Sequence, residues 1–104
     1  MTYRLTNDPT FVFEVRLHKP GKGVQIVKMI GRHFNDEDLK NLYAGCKTDR
    51  EIAMKVIDGW ERRYFDEEFS PEALEKLMSE NPGADTLIAM QHRRELRGEL
   101  ILGN

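Results

Sequence analysis

Between Phe11 and Leu17 the apolar residues Phe11, Phe13, Val15 and Leu17 recur at every second position. That period puts the four on one face of a strand, with Val12, Glu14 and Arg16 on the other. The run stops at His18-Lys19-Pro20-Gly21-Lys22-Gly23. Proline cannot continue a central ladder there, and the glycines reach turn conformations closed to other residues. Val24 to Ile30 reads as a second strand of weaker alternation, because Val27 and Met29 oppose Val24, Ile26 and Ile30. Two strands around a short Pro/Gly loop predict a β-hairpin over residues 10–31. A lone hairpin is marginal in water, so this one has to pack on helices or pair with another chain.

From Asn35 the period becomes helical and stays so over residues 35–97. Asn35 can cap a first helix, and Asp36, Glu37 and Asp38 suit its N-terminal dipole. Leu39, Leu42, Tyr43 and Cys46 share a face of it, and Gly45 weakens its end. Thr48-Asp49-Arg50-Glu51 is a capping box. Ile52, Ala53, Val56, Ile57 and Trp60 follow at helical spacing, so a second helix is expected to end on Gly59-Trp60. Ser70-Pro71 starts a third, with Phe69 and Leu74 placed as a hydrophobic staple. Leu74, Leu77 and Met78 face its core side, and Asn81-Pro82-Gly83 breaks it. A fourth helix is expected from about Asp85 to Arg97. Its start is apolar at Leu87, Ile88 and Met90, and its second half is nearly all polar, hence half solvated or docked on something else. The pattern predicts one α+β domain over residues 1–104. An N-terminal β-hairpin packs against about four α-helices, and an apolar C-terminal tail covers residues 98–104.

Length and charge narrow the function. A chain of 104 residues can bury a modest core and leaves little room for a deep catalytic cleft. The net charge is −2 with both signs interleaved, which gives no reason to expect a nucleic acid or an anionic membrane as partner. No run approaches the roughly 20 apolar residues of a membrane span, and Met1 to Pro9 lack the apolar stretch of a signal peptide. The single cysteine, Cys46, rules out an internal disulfide. A cytoplasmic setting is expected.

The chemistry-bearing residues do not cluster. His18, His33 and His92 share no short spacing with one another or with Cys46, so no metal site is expected. They read as solvated or capping histidines, with His33, just before a helix start, the one candidate exception. Cys46 sits on an apolar helix face without a base beside it, as a core cysteine does. Asp66-Glu67-Glu68 reads as a solvated loop, and Gly21-Lys22-Gly23 is too short for a phosphate loop. No catalytic residue and no cofactor is expected. Arg62-Arg63 and Arg93-Arg94 have acidic neighbours, unlike a continuous nucleic-acid face. The densest aromatic cluster is Trp60, Tyr64 and Phe65, which reads as a core anchor or as a protein-binding hot spot. Leu100-Ile101-Leu102 should dock on its own domain or on a neighbour.

Several features then occur in order. Asp8-Pro9-Thr10-Phe11 leads into a hairpin with Lys19-Pro20-Gly21, and Arg32-His33-Phe34 leads into the acidic start of the first helix. Gly59-Trp60 is followed by an acidic stretch into Phe69-Ser70-Pro71-Glu72-Ala73-Leu74, then by Leu77 and the Asn81-Pro82 break. Arg93-Arg94-Glu95-Leu96 and Gly103-Asn104 close the chain. From Thr10 to Asn104 this resembles the small tail assembly chaperones of long-tailed bacteriophages and prophages. Tyr64-Phe65 with its acidic run, and Leu100-Ile101-Leu102, depart from the family's more Gly-rich turn and more basic tail. The resemblance implies a protein that coats the tape-measure protein, keeps it soluble and helps recruit tail-tube protein. It implies no catalysis, and a homo-oligomer in some members, for which the hairpin edge could serve. Trp60, Tyr64, Phe65, Phe69, Leu100 and Ile101 are the expected partner-binding or anchor residues. On the residues alone, a regulatory adaptor, a nucleic-acid-binding module and, last, an enzyme stay open.

Overall fold

The computed structural model describes residues 2–99. The hairpin forms as β1 (Thr10–Lys19) and β2 (Gly23–Arg32), paired antiparallel from Thr10↔Arg32 to Lys19↔Gly23. Gly21 and Gly23, both at φ +78°, make the tight tip. Phe13, Val15, Val27 and Met29 are buried on one face, while Val12, Val24 and Ile26 are exposed on the other. Four helices follow: α1 (Asp36–Gly45), α2 (Asp49–Val56), α3 (Pro71–Glu80) and α4 (Ala84–Arg97). The fold is therefore α+β. Three caps form as the sequence predicts. Asn35 accepts from the Asp38 N–H, Thr48 from Glu51 and Ser70 from Ala73.

The second helix is shorter than expected. It ends at Val56, and Ile57–Trp60 forms a third strand, β3, antiparallel to β2 and giving the order β1-β2-β3. The register runs Met29↔Trp60, Ile30↔Gly59, Gly31↔Ile57, so Asp58 has no partner and forms a bulge. The bulge turns Ile57 and Trp60, three residues apart, to the same buried side. Their spacing thus imitates a helix. Asp58 points outward, where its carboxylate accepts from Arg32 Nε at 3.3 Å and Nη2 at 3.1 Å.

The polar half of α4 is docked. His92 is 0% exposed, against the expectation that the histidines are solvated or capping. It follows Ile88, also 0% exposed, by one helical turn and so occupies the same core-facing stripe. Its ring lies 5.6 Å from Phe11, 5.9 Å from Phe13 and 6.1 Å from Phe34, centroid to centroid. Its Nε2–H donates to the Arg32 carbonyl at 2.8 Å. Gly31 makes this approach possible, since a Cβ there would lie 2.9 Å from His92 Cδ2 and 3.0 Å from Phe13 Cε1. One residue before His92, the Gln91 amide accepts from the Arg16 N–H and donates to its C=O, both at 2.7 Å. Gln91 thereby caps the outer edge of β1 in the manner of a neighbouring strand.

The other helices hang from this frame. Thr86 at the start of α4 donates to Asp49 of α2 at 2.8 Å. Arg50 of α2 donates to the Glu75 carbonyl at 3.2 Å and to Ser79 Oγ at 2.7 Å, which holds α3.

Two outcomes follow from the contact between His92 and Gly31. Gly31→Ala should lower the urea unfolding free energy by about 1–3 kcal/mol through overpacking. A loss under about 0.5 kcal/mol, the range of an ordinary surface substitution, would contradict it. The second is a pH dependence. Burial holds the His92 pKa below its ordinary 6.5; the Arg32 carbonyl bond opposes this, and His33 adds to it. The unfolded chain therefore takes up the proton first. Stability from this group is full above that ordinary value and falls as pH drops below it, by up to about 1.4 kcal/mol per pH unit. His92→Gln should lose that component of the pH–stability profile, and an unchanged profile would count against it.

Candidate functional site

Below the distal half of the hairpin, the helices leave a groove of about 430 Å³. Its roof is Leu17, Gln25 and Val27, its floor Ala73 and Leu77 of α3, and its wall Trp60, Tyr64 and Phe65. The wall arises where the chain leaves the sheet. The Glu61 N–H donates to the Lys28 carbonyl at 3.1 Å, and a 3-10 turn, Arg62–Tyr64, then carries the chain back toward α3.

Aromatic packing fixes this wall. Trp60 is 8% exposed, stacks on Phe65 with centroids 3.9 Å apart and planes 12° apart, and meets the Phe69 ring edge-on at 5.2 Å. Its Nε1–H donates to the Glu67 carbonyl at 3.0 Å, so the indole has no unpaired polar atom. Lys76 Nζ donates to Glu67 Oε2 at 2.8 Å. That hydrogen bond, with the carboxylate's charge, raises the Lys76 pKa and keeps it cationic. Tyr64 is half-buried, with the Arg63 guanidinium 4.9 Å above its ring.

The structure thus brings Trp60, Phe65 and Phe69 into one cluster with Tyr64 beside them. Trp60 and Phe69 act as core anchors. Tyr64 and Phe65 present partly open surface to the groove. Leu100 and Ile101 lie outside the described residues. The sequence does not show that Leu17, Val27 and Leu77 share a groove, because only the tertiary fold sets Val27 opposite Leu77. The rim carries both signs, with Lys19 and Lys76 beside Asp66 and Glu80. An apolar floor under a mixed rim suits a polypeptide ligand. Among the described residues, no group of three or more His, Cys, Asp and Glu side chains is placed to hold a metal ion.

A second cleft lies at the other end of the molecule, between Leu5, Phe34, Leu39 and Leu96.

A family model described as phage tail assembly chaperone matches residues 1–103. No curated protein and no solved structure gives a significant match. The family match spans the hairpin, the aromatic groove and the helices alike, and the chain belongs to the phage tail assembly chaperone family.

Proposed function

We propose that this chaperone binds the tape-measure protein in the groove between the hairpin and α3, keeps it soluble in the host cytoplasm and assists tail-tube protein in assembling on it. The observation that carries this reading is the groove itself, a partly open aromatic wall on a rigid anchor. Trp60 and Phe69 support the wall, and Tyr64 and Phe65 supply contact area at low entropic cost. Leu100 and Ile101, apolar in sequence, are included as a second contact. The protein acts by binding, as the chaperone family suggests, with no catalytic step assigned. A homo-oligomer, implied by the family resemblance, would have to avoid the β1 edge at Arg16, which Gln91 occupies.

Co-expression with the tape-measure protein encoded beside its gene should give a soluble complex that survives gel filtration. If the tape-measure protein is equally soluble alone and no complex elutes, the reading is wrong. Within a complex, Tyr64→Ala should weaken binding by about tenfold or more, in a variant that still unfolds in one cooperative thermal transition. Leu39→Ala, in the other cleft, should leave affinity unaltered. The reverse ranking of the two variants would move the site to that cleft.

A further inference from the structure

We infer that the partner enters as an extended strand added to the open edge of β2 at Val24 and Ile26. Strand addition rests on the groove reading of the proposed function and specifies its binding mode. The ladder geometry points to it. Arg16 pairs with Ile26, yet both Arg16 backbone groups are bonded to Gln91 on the side away from β2. Arg16↔Ile26 is therefore a non-hydrogen-bonded pair, and the N–H and C=O of Ile26 point away from β1. Val24 and Lys28 share that parity, which agrees with the Lys28 carbonyl accepting from Glu61 on that side. Beyond Glu61 the chain turns away. Val24 and Ile26 are left with no backbone partner on this edge among the described residues, and the two residues are 64% and 49% exposed.

The two edges of the hairpin are thus treated differently. A glutamine side chain occupies the edge of β1 at Arg16, while the distal edge of β2 at Val24 and Ile26 stays bare beside the groove. Unpaired backbone groups in a row accept another strand, with affinity from main-chain hydrogen bonds and selectivity from alternate side chains. Here the inward-facing residues of an added strand would fall beside Val27, Leu77 and Phe65, so they should be apolar. The hairpin tip carries Lys19 and Lys22, which form no ion pair among the described residues, so the end of the strand nearest the tip should be acidic. Asp66 and Glu80 also line the groove and would disfavour an acid beside them. A second copy of β2 fits poorly. Setting Ile26 against Ile26 places Gly23 opposite the other copy's Met29, which already pairs with its own Trp60. It also drives two basic tips into those turns.

Amide hydrogen exchange on the full chain, free and bound to the tape-measure protein, tests this. The Val24 and Ile26 amides should slow by about a hundredfold or more on binding, while Arg16, already bonded to Gln91, changes little. Ile26→Pro removes the outward N–H and no rung of the β1–β2 ladder, and should weaken the complex by about tenfold or more. Ile26→Ala keeps that N–H and should bind nearly as wild type. A complex that forms while the Val24 and Ile26 amides exchange as in the free protein overturns strand addition and leaves the groove reading intact. Absence of any complex with the wild-type chain overturns both. Because exchange is read on the wild-type chain, the test holds even where the proline variant misfolds.

Discussion

The seating of His92 over Gly31 is the contact on which the remaining geometry depends. It brings a polar, two-faced helix against the backbone of a strand, where a Cβ would block it. The bond from His92 to the Arg32 carbonyl fixes the height and rotation of α4 at the base of the hairpin. With the helix so placed, Gln91 reaches the β1 edge and Thr86 reaches α2. Arg50 then sets α3, and α3 forms the floor of the groove. A buried imidazole is held in this role at the cost of desolvation. That cost is smallest for the neutral ring, and it is why His92 resists protonation.

Most of the fold is legible in the sequence because the signals are local. Asn35, Thr48 and Ser70 each mark a helix start through their own side-chain bonds, and the period-two run from Phe11 to Leu17 marks a buried strand face. The failures come where one pattern has two physical sources. Ile57 and Trp60 share a face through a bulge at Asp58, which reproduces the three-residue spacing of a helix. Gly59, a weak helix former, is the one hint of a strand that the sequence carries there. His92 stands one turn after Ile88 in a largely polar stretch, where a single spacing is masked by the charges around it. In the candidate site, Trp60, Tyr64, Phe65 and Phe69 announce themselves as aromatics near one another in sequence. Leu17, Val27 and Leu77 do not, because their shared position is created only when α3 swings under the hairpin.

The molecule consequently has a closed side and an open side. On the closed side α4 covers the hairpin base and caps one edge. On the open side the distal hairpin overhangs α3, and a stacked indole and phenyl ring keep the space between them from collapsing. The proposed binding of a client that must be kept soluble would draw on such a division. It must present apolar surface to the client without offering the same surface to its own copies. A groove with a charged rim does this better than a flat patch.

The most direct test is chemical-shift mapping on the isotope-labelled chain titrated with unlabelled tape-measure protein. The largest perturbations should fall at Val27, Tyr64, Phe65 and Leu77, on the open side. Perturbations concentrated instead at Phe34, Leu39 and Leu96, with the groove silent, would contradict a client held between the hairpin and α3.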